Sequence, residues 1–187
     1  HKHYPEAVID AVDIDPDVIK VAKAYFDFRP DARLRAHVGD GRKFIEAVRD
    51  PYDLIFLDAF SSESIPYHLA TREFLTAVRK ALAPQGAVVG NVWGRGSNIL
   101  YDSMVRTYQE IFGELYILEV RLARNKLLFA LPKPVKWDRD AFASRAAKIS
   151  KEKQFRFDLH ELVVYGYQRA DEKDPRSTVL GDDRRSE

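Results

Sequence analysis

The apolar pattern of this 187-residue chain alternates between short runs rich in β-branched residues and longer segments with helical spacing. The short runs lie at 7–14, 33–40, 52–60 and 86–93, and the helical segments at 17–27, 41–50, 70–82 and 99–112. Strands that alternate with helices are typical of a parallel sheet with helices on both faces. The pattern therefore predicts an α/β domain with a mostly parallel sheet.

The third apolar run predicts a central strand. Its core, Leu54-Ile55-Phe56-Leu57, is apolar without alternation, which is typical of a strand that is covered on both faces. Two later runs, 114–120 and 125–132, are separated by four residues. They predict an antiparallel hairpin at the end of the sheet.

The remainder of the chain predicts three segments of different character. The α/β domain is expected to span residues 1–151 and to end in a helix at about 138–151. A C-terminal extension over 152–170 is expected to pack on it. The last stretch, 171–187, is charged and has few apolar residues, so it predicts a disordered tail.

Composition excludes several classes of function. The chain has 30 Lys and Arg residues against 29 Asp and Glu residues, a net charge of +1. This composition shows no basic excess that would indicate a nucleic-acid partner. No apolar run approaches the ~18 residues that a membrane span needs, which predicts a soluble, cytoplasmic protein. Cysteine is absent, and the five histidines lack metal-ligand spacing. No metal is therefore expected.

Polar residues follow four successive predicted strands. Asp13 and Asp15 follow the first strand, Asp40 the second, Asp58 the third and Asn91 the fourth. In open α/β sheets, ligands bind beyond the carboxyl ends of the strands. We therefore expect these side chains to face one crevice.

Each acid has a functional and a structural interpretation. Asp13 is suited to accept hydrogen bonds from two ribose hydroxyls, or it merely ends the strand. Asp15, before Pro16, is interpreted as a helix cap. Asp40 lies between two glycines that allow a ligand to approach the backbone, so it either accepts from an exocyclic amine of a base or caps the next helix.

Asp58 interrupts a wholly apolar run and is the candidate catalytic residue. Burial raises the pKa of a carboxylate, and a desolvated acid is therefore a better proton acceptor near neutral pH. Such a group would bind a substrate ammonium and remove its proton.

Four segments, taken in order and spacing, resemble the spermidine synthase family of polyamine aminopropyltransferases, and especially its bacterial spermidine-synthase-like branch. They are VDIDPDVI (12–19), HVGDGRKFI (37–45), YDLIFLDAF followed by IPYHLATREFL (52–60 and 65–75), and LAPQGAVVGNVW (82–93). The resemblance covers about residues 4–131. It implies a Rossmann-like class I methyltransferase fold and a homodimer. It also implies transfer of an aminopropyl group from decarboxylated S-adenosylmethionine to a polyamine such as putrescine.

The resemblance also implies roles for individual residues. Asp13 would hold the ribose hydroxyls, Asp40 the adenine amine, and Asp58 would accept the proton. The residues implied for the cosubstrate are Asp13, Ile14, Asp40, Gly41 and Asp58, and those implied for the amine substrate are Ser61, Glu63, Tyr67 and Asn91.

Three departures from the family pattern leave other functions open. Ser61 stands where active members carry a second aspartate, and Asn91 stands where they carry glutamine. The first strand and the glycine-rich loop that precede HKHYP in the family are missing from the sequence, so the chain is expected to be truncated.

A methyltransferase that uses S-adenosylmethionine itself stays possible. So does a non-catalytic binding or assembly module. Its aromatic residues would form either a dimer face or part of the core: Tyr101, Tyr108, Phe112, Tyr116, Tyr165 and Tyr167.

Overall fold

The computed structural model describes residues 1–59, 65–135 and 137–183, in which strands and helices alternate as predicted. The strands are β1 (Ile9–Asp13), β2 (Leu34–Val38), β3 (Tyr52–Leu57), β4 (Leu82–Trp93), β5 (Glu114–Glu119), β6 (Asn125–Leu131) and β7 (Tyr167–Arg169). The helices are α1 (Pro16–Tyr25), α2 (Gly41–Glu46), α3 (Arg72–Lys80), α4 (Tyr101–Ile111), α5 (Arg139–Lys153) and α6 (Leu159–Gly166). A 3₁₀ turn lies at Tyr67–Leu69. Within the described ranges, no helix is long and apolar enough to cross a membrane.

The chain divides into two compact units, an N-terminal unit of residues 1–48 and a C-terminal unit of residues 49–187. In the N-terminal unit, β1 and β2 form a parallel pair whose register runs from Ile9–Leu34 to Asp13–Val38. Asp15 caps α1 through a hydrogen bond from the backbone N–H of Asp17, as the sequence predicts. No residue of this unit is buried as a whole, and Val38 is 57% exposed.

The C-terminal unit contains a five-stranded sheet in the order β3-β4-β6-β5-β7. β3 and β4 are parallel, whereas the β4–β6, β6–β5 and β5–β7 pairs are antiparallel. The hairpin predicted from the two late apolar runs is therefore confirmed. The described strands form a mixed rather than a mostly parallel sheet, because three of the four pairs in this unit are antiparallel.

One face of this sheet, together with α3 and α4, carries the main core. Along β4, alternate residues Val88, Gly90 and Val92 are buried, as the two-residue period of a strand requires. The amphipathic helices contribute buried residues that include Leu75, Val78, Met104 and Tyr108. Of the six aromatic residues with two open interpretations, four are core residues, because Tyr101, Tyr108, Phe112 and Tyr116 are at most 6% exposed.

Aromatic rings pack on the other face of the sheet. Their ring centroids lie 5.3–6.3 Å apart, and the members are Tyr116, Phe129, Trp137, Phe142 and Tyr167. Tyr167 donates a hydrogen bond from its hydroxyl to the Trp137 carbonyl (2.6 Å). The segment expected as a C-terminal extension thus contains α6 and β7, and β7 completes the sheet.

The prediction that β3 is a central strand covered on both faces is wrong for the residues described. β3 pairs only with β4 there and forms an edge of the sheet. Ile55 is buried, but Leu54 and Phe56 are 45% and 68% exposed. An unbroken apolar run indicates that both faces are apolar; it does not indicate what covers each face.

Part of the segment expected to be disordered is anchored against α3 and α4. Leu180 is 4% exposed, its N–H donates to the Thr107 hydroxyl (3.0 Å), and its carbonyl accepts from the N–H of Arg72 (2.8 Å). The N–H of Asp182 donates to the Glu73 carboxylate (3.0 Å). A single leucine and main-chain hydrogen bonds order a stretch whose composition predicts disorder.

Candidate functional site

In the N-terminal unit, the ends of β1 and β2 bring Asp13 close to the glycine-flanked Asp40. The N–H of Gly39 donates to the carbonyl of Asp13 (2.9 Å), which extends the parallel pairing past the last residue of β2. Oδ1 of Asp13 accepts from the N–H of Asp15 (2.8 Å). Between these two acids, Ile14 is 70% exposed and offers an apolar surface next to a carboxylate.

Asp40 is the N-cap of α2, which is the structural interpretation left open by the sequence. Its Oδ1 accepts from the N–H groups of Arg42 (2.8 Å) and Lys43 (3.3 Å). Neither flanking glycine has a positive φ, so a sharp turn does not explain them. A Cβ added to Gly39 or Gly41 would meet no atom within 4 Å, so there is open space on both sides of Asp40.

Behind these strand ends, a buried acid forms a cluster that sequence reasoning missed. The Asp10 side chain is 3% exposed and lies 2.6 Å from both Arg35 Nη2 and His37 Nε2. The register places Asp10 opposite Arg35 and Val12 opposite His37, so the two basic side chains share a face of the pair with Asp10. The cluster ties β2 to β1.

In the C-terminal unit, the ends of β3, β4 and β6 carry a chain of three polar side chains. Asn91 Nδ2 donates to Asp58 Oδ1 (2.8 Å). Asn125 Nδ2 donates in turn to Asn91 Oδ1 (2.9 Å). Asp58 and Asn91 were candidates from the sequence, whereas Asn125 was not, because the first residue of a late hairpin strand carries no motif.

The burial expected for Asp58 is absent, since the residue is exposed at the end of β3. The preceding apolar run predicts desolvation of Asp58, but Leu54 and Phe56 of that run are themselves exposed. What holds the carboxylate is the hydrogen bond from Asn91. Its Oδ2 makes no hydrogen bond to any residue within the described ranges.

The other substrate-binding candidates divide into two groups. Ser61 and Glu63 lie outside the described residues. Tyr67 lies in the 3₁₀ turn, and its hydroxyl donates to the carbonyl of Gly181 (3.1 Å). That hydroxyl therefore anchors the ordered part of the C-terminal segment.

A cavity of about 960 Å³, also missed by the sequence, opens near the carboxyl end of β4. It is lined by the loop 94–97, Tyr101, Asn125, Lys126 and Arg169, among others. Burial raises the pKa of Tyr101 to about 12, so this hydroxyl stays protonated at physiological pH. Because Asn125 also belongs to the polar chain, the cavity borders the Asp58 site.

The predicted site residues thus form two clusters, Asp13 with Asp40 in one unit and Asp58 with Asn91 in the other. The common crevice predicted for all four stays a prediction. The described residues contain no group of His, Asp or Glu side chains arranged to hold a metal ion. The chemistry these clusters can support is acceptance of hydrogen bonds from a polar ligand by their carboxylates.

Comparisons with known proteins match most of the length of this chain. A family model described as the spermine/spermidine synthase domain matches residues 1–112. A polyamine aminopropyltransferase of Vibrio vulnificus is 42% identical over 120 residues, which is 63% of this chain and 40% of that protein. A probable polyamine aminopropyl transferase of Bifidobacterium longum is 30% identical over 196 residues, 98% of this chain and 43% of that protein. The chain therefore spans about two fifths of the length of these relatives.

Among solved structures, human methyltransferase-like protein 13 in complex with SAH is similar to this chain. The TM-score is 0.76 at 27% identity, and the match covers 84% of this chain and 76% of that one. The predicted fold is confirmed as a Rossmann-like methyltransferase fold with a mixed sheet and helices.

Proposed function

Because the chain belongs to the spermine/spermidine synthase domain family, we propose that it is an aminopropyltransferase. It would transfer the aminopropyl group of decarboxylated S-adenosylmethionine to a polyamine such as putrescine. The observation that carries the proposal is the Asp58 carboxylate at the end of β3. Asn91 holds its Oδ1 at 2.8 Å, which leaves Oδ2 to receive an amine.

The proposed reaction is an in-line displacement at the carbon attached to the sulfonium. The amine nitrogen forms a new C–N bond, the C–S bond breaks, and its electron pair neutralises the sulfur to leave methylthioadenosine. Asp58 takes the proton that the amine loses. The protein otherwise contributes by holding the amine and the cosubstrate in the right geometry. In a reaction between two bound molecules, this positioning supplies a large part of the rate enhancement.

Asp13 and Asp40 are proposed to bind the nucleoside of the cosubstrate. Asp13 would accept from the two ribose hydroxyls, and Asp40 would accept from the adenine amino group. Ile14 and Gly41 would lie against the nucleoside. The exposed side chain of Ile14 and the open space beside Gly41 support this, since a flat apolar ring needs both contact and room.

Substitution of Asp58 tests the proposal, with methylthioadenosine release as the measurement. We expect Asp58→Asn to lower kcat about 10²-fold or more, as is usual when a general base is lost. Asn at this position keeps an oxygen that can accept from Asn91, so the fold should survive. Asp53→Asn, which removes an exposed carboxylate from the same strand, is the matched control. Unaltered turnover in Asp58→Asn would refute the assignment.

A methyltransferase that uses S-adenosylmethionine is the second candidate, favoured by the similarity to human methyltransferase-like protein 13 in complex with SAH. The two cosubstrates differ by one carboxylate. Calorimetry with both ligands separates the candidates, and a preference for the carboxylated form would favour the methyltransferase.

A non-catalytic binding or assembly module and a homodimer stay predictions. A chain that no adenosyl ligand stabilises in a thermal melt would fit the binding module, because a ligand that binds only the folded state raises the Tm. Light scattering of the purified chain measures whether it is a dimer.

A further inference from the structure

We propose that Asn125 is a positioning residue of the site, which fixes the amide of Asn91 so that its NH₂ group faces Asp58. This inference rests on the proposed role of Asp58 as proton acceptor. Asn125 would act through Asn91 and would not touch the reacting atoms.

The direction of the two hydrogen bonds that link Asn125, Asn91 and Asp58 follows from which groups can donate and which can only accept. An ionised carboxylate only accepts hydrogen bonds, whereas an asparagine amide both donates and accepts. Asn91 must therefore turn Nδ2 towards Asp58, and its Oδ1 then needs a donor on the opposite side. Asn125 Nδ2 supplies that donor at 2.9 Å.

A half-turn of the Asn91 amide would lose both hydrogen bonds. Its oxygen would face the Asp58 carboxylate, and its NH₂ group would face the NH₂ group of Asn125. The donor at residue 125 thus adds a second hydrogen bond to the amide orientation that Asp58 already favours, and it disfavours the flipped orientation, which is nearly equal in shape. The selected orientation engages Asp58 Oδ1 and leaves Oδ2 available for the substrate amine.

The position of Asn125 in the sheet suits it to orient the Asn91 amide. It is the first residue of β6 and pairs with Trp93 of β4. Next to it, the N–H of Gly94 donates to the carbonyl of Arg124 (2.8 Å), which holds the start of β6 against the end of β4. Asp58, by contrast, lies one residue beyond β3, where no ladder hydrogen bond holds it. A residue paired in the sheet thus orients, through Asn91, a residue that lies beyond its strand.

The side-chain amide resonances of asparagine test the inference directly. The chain has three asparagines, Asn91, Asn98 and Asn125, so selective ¹⁵N labelling gives three NH₂ pairs. In Asn125→Leu, which keeps the shape but removes the donor, we expect the Asn91 pair to shift and to exchange with water about three- to tenfold faster, the effect of losing one hydrogen bond. The Asn98 pair, which lies near Met104 Sδ, should not change.

Kinetics then separate positioning from substrate binding, which Asn125 could also perform because it lines the cavity. A positioning role predicts a fall in kcat of about three- to tenfold with little change in KM, whereas a binding role predicts the reverse. Asn125→His, whose Nδ1–H can donate to Asn91, should restore kcat. In the Asp58→Asn background, Asn125→Leu should cost no further activity.

Leu127→Met is the packing control, because Leu127 is the direct cross-strand partner of Asn91 and the change conserves volume. An Asn91 resonance that does not move in Asn125→Leu, or a kcat that falls equally in Leu127→Met, would overturn the inference. A resonance that moves in a protein without transferase activity would support the positioning of Asp58 and contradict the proposed function instead.

Discussion

The N–H of Gly39 donates to the carbonyl of Asp13 across 2.9 Å, so the parallel pairing of β1 and β2 continues one step past the last residue of β2. This hydrogen bond fixes where α2 begins, because Asp40 follows directly and caps it. The candidate nucleoside residues therefore depend on the alignment of two strand ends. Asp40 therefore has a structural role, which is to cap α2, and a proposed role in binding the nucleoside.

The two duties of Asp40 can be separated by a pair of substitutions. Asparagine is as good an N-cap as aspartate, whereas alanine is a poor one. We expect Asp40→Asn to leave the stability of α2 within about 0.5 kcal/mol and Asp40→Ala to lower it by about 1 kcal/mol. Hydrogen exchange of the α2 amides measures this.

Binding of decarboxylated S-adenosylmethionine should weaken in both Asp40 variants. Asp40→Asn retains the cap but offers no carboxylate to an adenine amine, and its affinity should fall about tenfold, the value of one charge-assisted hydrogen bond. Calorimetry measures the affinity. If Asp40→Asn binds as tightly as the unaltered chain, the capping role stands and the binding role does not.

The sequence predicts element order well because period and capping residues are local properties. β1 to β6 and α1 to α5 each overlap the segment that the apolar pattern assigns to them, although β4 begins at Leu82, four residues before the predicted run. Asp15 caps α1 as predicted. The sequence does not predict features that depend on contacts between segments distant along the chain. The cover over β3, the Leu180 anchor and Asn125 each require knowledge of which segment lies beside which. Asn125 in particular has no local signal, since its role follows only from the antiparallel register of β4 and β6.

Buried tyrosines should make the chain sensitive to alkaline pH. Burial raises the pKa of Tyr101 to about 12 and also raises the pKa of Tyr108. An acid whose pKa is higher when folded than the ordinary value of about 10 stabilises the fold fully below pH 10 and loses that stabilisation as the pH rises towards 12. We expect the free energy of unfolding to fall by about 2–3 kcal/mol across this window through Tyr101 alone.

Denaturant titrations at several pH values measure the effect of Tyr101. In Tyr101→Phe the fall between pH 10 and 12 should be smaller, because one titrating phenol is gone. Tyr25→Phe is the matched control, since Tyr25 is 80% exposed and the change removes a hydroxyl outside the core. Equal alkaline sensitivity in Tyr101→Phe and the unaltered chain would contradict burial of this hydroxyl.

The final prediction concerns the buried ion pair that attaches β7 to the sheet. Glu114 has a side chain that is 5% exposed and lies 2.8 Å from Arg169 Nε, whose side chain is 34% exposed. Removal of one partner from a buried pair leaves an uncompensated charge, which costs about 3–5 kcal/mol when both partners are buried. Water reaches the Arg169 side, so we expect Arg169→Met to lower the free energy of unfolding by less than that range.

Two further variants show whether the loss of stability in Arg169→Met comes from the unpaired Glu114 carboxylate. Arg176→Met removes an arginine that is 90% exposed and paired with Asp174, and it should change stability by less than about 0.5 kcal/mol. In the double variant Glu114→Gln/Arg169→Met, the buried charge is gone, so most of the lost stability should return. Urea denaturation of the unaltered chain, Glu114→Gln, Arg169→Met and the double variant gives the coupling energy of the pair. If Arg169→Met is tolerated as well as Arg176→Met, then water already solvates Glu114, and β7 is held by its three ladder residues and by the hydrogen bond of the Tyr167 hydroxyl.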